Sequence, residues 1–262
     1  MSTGELQKFI AAEHLVEQRS GSLRKVLRVG DLVLLQVLYI TGFQWLGDAA
    51  KLGSAHIMYW IPAVLLFYIP SGIVVIHLNA EMPLEGGLYQ WVKLRFGPLP
   101  GFLIGLNFCA GAILIVASGA SLMADNIGYA MGPSGSWIVE SKVATVAINV
   151  LLMGMVALLA VRGLSIAKWF HNFGGLVFVL LLAGMIAFAL PRWMHGTAVV
   201  APVAATIPAL TLLNLNIAGR MGMGAFGGID SGAIFSGEVR SANVARIVRR
   251  SILLAGPLIA LS

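Results

Sequence analysis

The chain alternates between long apolar stretches and short polar segments. Five apolar stretches run over about 31 to 47, 56 to 80, 100 to 124, 140 to 161 and 166 to 190. A sixth extends from 218 to 238, and a seventh begins at Ser251. A helix that crosses a bilayer needs about 20 predominantly apolar residues. The pattern therefore predicts an all-α integral membrane protein whose spans are joined by short polar loops.

The sixth stretch, Ala218 to Glu238, differs from the others in composition. It contains seven glycines, together with Arg220 and Asp230, where a simple span would carry large apolar residues. Glycines inside an apolar span allow the helix to open at the membrane midplane, so that free backbone groups face a bound solute. We interpret the stretch as a broken helix that grips a substrate.

Tight helix packing is the alternative interpretation of the same glycines. Gly224, Gly228 and Gly232 recur at the spacing that lets two membrane helices approach closely. Packing alone does not explain Arg220 and Asp230, because a charge inside a span costs at least about 2.5 kcal/mol and usually marks a function or a fixed partner. The sequence favours the broken helix and leaves packing open.

The two ends of the chain differ from the spans. Residues 1–29 are polar and lack the apolar core of a signal peptide, so we expect a retained cytoplasmic leader with a short amphipathic helix from Glu5 to Val16. Residues 30–262 form the predicted transmembrane domain. Ser251 to Ser262 is too short to cross a bilayer. We therefore expect C-terminal helices to be missing, and the chain to insert without transporting by itself.

Composition and charge support this fold class. The chain is 58% hydrophobic and only 11% charged, against about 25% in ordinary globular proteins. The net charge of +6 does not indicate nucleic acid, because the basic residues lie in short segments between spans. With the leader placed inside, thirteen Lys and Arg residues lie on inner segments and three on outer ones. This bias predicts a cytoplasmic N-terminus in the plasma or inner membrane.

Candidate chemistry is sparse. Cys109 is the single cysteine, and the histidines show no metal-ligand spacing, so neither a disulfide nor a metal site is expected. An enzyme would need a nucleophile with a base, paired carboxylates or metal ligands in one layer, and the sequence offers no such set. The first stretch holds a second candidate break at Thr41 and Gly42, after a start capped by Asp31.

Three motifs carry a resemblance to a known family. They are Glu81 to Trp91 followed by Phe96-Gly97 and Gly101-Phe102, the segment Gly224 to Glu238, and Ile40 to Phe43. In these motifs the chain resembles the amino acid-polyamine-organocation superfamily of permeases. The resemblance implies a LeuT-like fold of two inverted five-helix repeats, of which the first repeat, helix six and the start of helix seven are present, with helices one and six broken.

The chain also departs from the family pattern. Ile40 stands where the family usually has glycine, and no proline follows Glu238 closely. Helix five carries no lysine between His171 and Leu181, at the position where sodium-independent members place one. The coupling ion, H⁺ or Na⁺, is therefore open, and no other cofactor is expected.

The resemblance implies a substrate site at the two breaks. The free N–H groups at one break would bind a carboxylate, and the free carbonyls at the other an ammonium. The candidate residues are Thr41, Gly42 and Phe43 in helix one, and Phe226, Gly227 and Gly228 in helix six. Phe226 is either an aromatic gate or a packing residue, and both interpretations stay open.

Three charged residues of helix six are candidates for a gate or for charge pairing. Arg220 meets an anionic substrate, closes an outer gate by pairing, or forms a structural pair buried between helices. Asp230 is expected to cap the second half of the helix, or to pair. Glu238 approaches the basic cluster at the inner end, where we expect salt bridges.

The sequence therefore predicts a secondary transporter of amino acids or related amines that works by alternating access. Its partners are the substrate and the lipid bilayer, with no nucleic acid. The alternative is a fragment of such a permease that does not transport, or a regulatory remnant that binds a partner. The sequence names neither the particular amino acid nor the oligomeric state.

Overall fold

The computed structural model describes residues 3–41, 56–196, 211–220, 224 and 226–261. Over this part of the chain the regular elements are helices, and an isolated parallel bridge joins Leu27 to Val239. The α-helices of the described residues are α1 Thr3–Gly21, α2 Val29–Ile40, α3 Ile57–Glu81, α4 Leu88–Phe96, α5 Pro98–Ala130, α6 Ser136–Glu140, α7 Lys142–Val161, α8 Leu164–Met194, α9 Leu212–Gly219, α10 Ser231–Ile234 and α11 Val244–Leu261. The predicted all-α class is confirmed.

Four helices of the described chain are long and apolar enough to cross a membrane: α3, α5, α7 and α8 as far as Arg192. They correspond to the second to fifth apolar stretches. Little of their surface is buried within the chain. Side chains such as Leu66, Leu114 and Leu151 are largely exposed, as expected of helices that face lipid.

Helix α3 contains a wider π-helical turn from Val64 to Tyr68. Pro62 and Pro70 flank this turn. A proline removes one backbone donor and its ring clashes with the carbonyl four residues earlier, so the chain between two prolines relaxes into a wider turn. The predicted span is therefore one element of the right length with an irregular centre.

Two predicted helix boundaries need correction. Helix α2 begins at Val29, with Arg28 as its N-cap, and the carboxylate of Asp31 accepts a hydrogen bond from the Arg28 backbone N–H at 2.8 Å. Asp31 therefore lies in the first turn and not at the cap. Helix α11 begins at Val244 and not at Ser251. The Asn243 side chain caps it by accepting from the Arg246 backbone N–H at 2.9 Å.

The chain divides into two compact units, residues 1–91 with 170–262, and residues 92–169. In the second unit α5 packs against α6 and α7. The contact is close at Gly128, where a Cβ atom would lie 2.6 Å from Cγ2 of Val139. Ser141 caps α7 by accepting from the backbone N–H of Ala144 at 3.3 Å.

Helix α2 is the centre of the first unit. Its buried residues Leu32 and Val37 belong to a core that also contains Val248 and Ile252 of α11. Helix α8 approaches α2 at Gly175, where a Cβ atom would lie 3.1 Å from Cβ of Leu34. In the same unit, α3 packs against α11, and α10 packs against both α2 and α11. Helix α2, which is shorter than the four predicted spans, is therefore surrounded by other elements of its unit.

Candidate functional site

Helix α2 ends where the first break is predicted. Ile40 is its last residue, and Thr41 has an extended backbone with φ −82° and ψ 145°. Both the backbone N–H and the hydroxyl of buried Thr41 donate to the carbonyl of Val37, the N–H at 2.9 Å. The hydroxyl thus adds a second donor to the last turn of the helix. Gly42 and Phe43 lie outside the described residues, so their predicted role stays a prediction.

The glycine-rich stretch is not a continuous helix where it is described. A turn over residues 226–230 leads into the single helical turn α10, and a 3₁₀ turn from Ser236 to Glu238 follows. Gly228 has a positive φ of +96°, which side chains other than hydrogen rarely tolerate. A broken segment therefore follows α9, as the glycine pattern indicates.

The broken segment lies directly against α2. A Cβ atom at Gly228 would be 2.3 Å from Cε1 of Tyr39, and one at Gly232 would be 2.7 Å from Nε2 of Gln36. Neither contact leaves room for a larger residue. The two interpretations of the glycines are thus compatible, because Gly228 serves both the break and the close approach, whereas Gly232 serves the approach alone.

Buried polar side chains connect the segments around α2. Gln36 of α2 donates through Nε2 to Oγ of Ser251 in α11 at 2.9 Å. The hydroxyl of Ser236 lies 2.7 Å from Oδ1 of Asn79 in α3. Relative exposure is 0% for Gln36 and Ser251 and 1% for Asn79 and Ser236. Sequence reasoning missed these residues, although single amides inside apolar helices are a usable signal.

Several polar atoms near these contacts are buried and have no hydrogen-bond partner among the described residues. They are Oε1 of Gln36, Nδ2 of Asn79, Oδ2 of Asp230 and Oγ of Ser231. A buried polar atom without a partner costs about 1–3 kcal/mol. Such atoms are usually satisfied by water or by a bound solute. The arrangement can therefore offer both donors and acceptors to a polar ligand.

Phe226 is buried in an aromatic cluster. Its ring centroid lies 5.4 Å from that of Trp60 and 5.2 Å from that of Tyr68, both in α3. The relative exposure of Phe226 is only 4%. These contacts favour the packing interpretation, because the ring already has two aromatic neighbours. Its role as a gate stays a prediction.

Arg220 and Asp230 lie on opposite sides of the break. Arg220 is exposed at the C-cap of α9. Asp230 occupies the N-cap position of α10, but its side chain makes no capping hydrogen bond there. The backbone of Asp230 is helical, at φ −76° and ψ −10°, whereas a capping side chain needs an extended backbone. Asp230 therefore lies at the predicted cap position, but its side chain does not form the capping hydrogen bond.

Glu238 lies at the C-terminal end of the broken segment. Its carbonyl accepts hydrogen bonds from the backbone N–H groups of Val26 and Leu27, at 2.9 and 3.0 Å. The ammonium of Lys25, in the N-terminal segment, interacts electrostatically with the Glu238 carboxyl group. The basic cluster after Arg240 was the predicted partner. The structure thus identifies a different segment of the chain as the neighbour of Glu238.

The structure explains the Gly-Gly pair in the motif Glu81 to Trp91. Gly86 and Gly87 both have positive φ, at +91° and +45°. The backbone N–H of Gly86 donates to the carbonyl of Ile234 at 2.8 Å. A Cβ atom at Gly87 would lie 3.2 Å from the backbone carbon of Ala233. This loop therefore rests directly on the backbone of α10.

Among the described residues, no group of three or more His, Cys, Asp or Glu side chains could hold a metal ion. The only described free thiol is Cys109, which is exposed on α5. The groups that can bind a ligand at this site are thus backbone groups at the breaks, side-chain amides and hydroxyls. They suit the reversible binding of a polar solute.

Comparison with known proteins gives one family. The model of the family described as "Amino acid permease" matches residues 29–261. An uncharacterized transporter of Legionella pneumophila is 39% identical over 80 residues, which cover 30% of this chain and 17% of that protein. A probable agmatine/putrescine antiporter of Lactococcus lactis is 22% identical over 136 residues, covering 50% and 27%. A cationic amino acid transporter of Arabidopsis thaliana is 26% identical over 121 residues, covering 44% and 20%.

In each of these three matches the aligned region spans less than a third of the relative's own length. No solved structure matches the chain at a significant level.

Proposed function

Because the chain belongs to the amino acid permease family, we propose that it binds an amino acid or a related amine and moves it across a membrane by alternating access. The family and the apolar helices support a membrane transporter and not an enzyme. The proposal adds a LeuT-like arrangement of inverted repeats, location in the plasma or inner membrane and a cytoplasmic N-terminus. Thirteen inner against three outer basic residues support that orientation.

One observation carries the proposal: the end of α2 meets the turn before α10 at the contact of Tyr39 with Gly228. An interrupted helix leaves backbone N–H and carbonyl groups without intrahelical partners. In a membrane these groups need a partner that is not lipid. The carboxylate and ammonium of an amino acid supply that partner, the first at free N–H groups and the second at free carbonyls. We assign the carboxylate to the region after Thr41 and the amine to Gly227 and Gly228.

The substrate class follows from chemistry and from the names of the relatives. Two of them are named for cationic amino acids or for agmatine and putrescine. Oδ2 of Asp230 and Oε1 of Gln36 are buried acceptors without a partner among the described residues, which suits a substrate with an additional amine. A panel of arginine, lysine, agmatine and putrescine is therefore the first choice, with leucine and glutamate as references.

The test is binding to the full-length gene product that contains these residues, purified and folded. Gly227→Leu places a bulky side chain at the proposed meeting point of backbone and ligand. Gly154→Leu is the matched control, because a Cβ atom at Gly154 has no neighbour within 4 Å. We expect calorimetry to show affinity reduced roughly tenfold or more in the first variant, at least about 1.4 kcal/mol, and unchanged in the second. Equal affinity in both folded variants, or no binding of any panel member to the parent, would refute the proposal.

A further inference from the structure

Three distant segments meet at the inner end of the broken segment. They are the segment Ser20–Leu27, which contains the last two residues of α1 and the linker that follows, the loop Leu84–Gly87 after α3, and the exit Ser236–Arg240 before α11. We call their contact the inner clamp. Backbone hydrogen bonds hold it, from Gly86 to Ile234 and from Arg240 to the carbonyl of Leu27 at 2.7 Å. The buried pair Leu27 and Val239 lies at its centre.

The peptide groups of Gly237 are held between an acid and a base. The backbone N–H of Gly237 donates to Oε2 of Glu85 at 2.5 Å. Its carbonyl accepts from the ammonium of Lys25, which also donates to the carbonyl of Ser20 at 3.2 Å. A Cβ atom at Gly237 would lie 2.6 Å from Oε2 of Glu85 and 3.0 Å from Cδ1 of Leu23. A side chain at this position would displace the Glu85 carboxyl group or the Leu23 side chain from its place in the clamp.

We propose that Glu85 is a proton-sensitive switch that sets how tightly the inner clamp holds the exit of the broken segment. The inference rests on the proposed function, in which movement of the broken segment opens the inner side. It assigns regulation to a loop residue that does not touch substrate. Protonation of Glu85 closes the clamp, and loss of the proton loosens it.

The electrostatics of the clamp support this direction. Burial raises the pKa of Glu85 to about 7, its hydrogen bond from Gly237 lowers that pKa, the nearby Glu238 raises it and Lys25 lowers it. Lys25 faces the carboxyl from the linker and Glu238 faces it from the exit. When the clamp opens, water reaches the carboxyl and its pKa returns to the ordinary value near 4.5.

Proton linkage determines whether a rise in pH stabilises or destabilises the closed clamp. A group that holds its proton more tightly in the closed form stabilises that form, and the advantage is lost as the pH rises through the raised pKa. The closed clamp is therefore most stable below about pH 4.5 and weakest above about pH 7. The sensitive range lies between about pH 4.5 and pH 7, so small changes in pH within it alter the population of the open form.

The experiment measures opening of the clamp directly, without transport. Val239, which has 0% exposure, is changed to Cys in a Cys109→Ala background, and its labelling by a soluble maleimide is followed from pH 6 to pH 8. Each rate is divided by that of the same protein with Glu85→Gln, which cancels the ionisation of the thiol itself. Glutamine still accepts from Gly237 but does not titrate. We expect the ratio to rise several-fold, with about tenfold as the upper bound for a partly solvated carboxyl.

Two further variants complete the test. Lys25→Gln removes the other half of the clamp, and we expect faster labelling at every pH with the pH dependence retained. Val248→Cys, in the core of α11, should label slowly at every pH because it becomes accessible only when the whole protein unfolds. The inference would be overturned if the labelling of Val239→Cys had the same pH profile with Glu85 as with Glu85→Gln. It would also be overturned if the labelling of Val248→Cys had the same pH profile as that of Val239→Cys. Because the labelling needs no substrate, these outcomes are independent of the binding test above.

Discussion

The ring of Tyr39 lies against the backbone of Gly228 so closely that a Cβ atom on the glycine would be 2.3 Å from the tyrosine Cε1. Tyr39 is next to last in α2, and Gly228 lies in the turn that precedes α10. The end of one interrupted element and the turn of the other thus occupy adjacent positions. Any substitution at Gly228 has to change both its own backbone and the position of the ring.

The first prediction concerns this contact. Gly228→Ala should lower the free energy of unfolding by about 1–3 kcal/mol, because alanine at positive φ is strained and its methyl group meets Tyr39. Adding Tyr39→Ala should restore part of the loss, since it removes the clash and not the backbone strain. Unfolding in mild detergent, followed by circular dichroism, measures both. No change in Gly228→Ala would mean that the close approach is wrong.

The second prediction concerns the buried amide. Ser251→Ala removes the acceptor of Gln36 Nε2 and should cost about 1–2 kcal/mol, because an amide donor is left without a partner inside the protein. Ser118→Ala is the matched control, since the Ser118 hydroxyl is exposed and donates at 2.7 Å to Leu114 within its own helix. A double-mutant cycle with Gln36→Leu should give a coupling energy of about 0.6 kcal/mol or more. Additive effects would contradict the hydrogen bond.

The third prediction separates packing from gating at Phe226. If the ring serves packing against Trp60 and Tyr68, Phe226→Ala should destabilise the protein by about 3 kcal/mol, and Phe226→Leu by clearly less. Substrate affinity should then follow stability. A gate gives the opposite pattern, in which affinity or exchange rate changes while the unfolding free energy stays the same. Melting curves and equilibrium binding on the same preparations distinguish the two.

The fourth prediction concerns orientation in the membrane. In a Cys109→Ala background, a cysteine replacing Val143 should react with an impermeant thiol reagent added outside intact cells, because this exposed residue lies beside an outer lysine. A cysteine replacing Arg246 should react only after the membrane is permeabilised. The reverse order of labelling would overturn the assignment of a cytoplasmic N-terminus.

Local composition was sufficient to predict four of the spans and the end of α2 near Thr41. A long run of apolar residues such as α7 has few alternatives to a helix in a membrane, so its bounds follow from the sequence alone. Thr41 ends α2 through a hydrogen bond to Val37, four residues earlier. Interactions of this range leave a signal in the sequence. The π-helical turn in α3 was not predicted, although the two prolines that flank it are also a local signal.

Contacts between distant residues were not predictable in the same way. Gln36 and Ser251 are separated by 215 positions, and Glu85 and Gly237 by 152. No local pattern indicates which amide forms a hydrogen bond with which hydroxyl, because the pairing depends on how the helices pack. The start of α11 was missed because three arginines suggested a loop. They extend the helix toward water, and Asn243 caps its first turn.

The inner clamp also has a consequence for how the chain is made. Lys25 and Gly237 are 212 residues apart, so the linker is synthesised long before its partner exists. At about 5–20 residues per second, the ribosome needs on the order of 10–40 seconds to supply the second half of the contact. During that interval Ser251, the hydrogen-bond partner of Gln36 in α2, has not been synthesised either. The hydrogen bond between α2 and α11 can therefore form only after almost the whole of this chain has been translated.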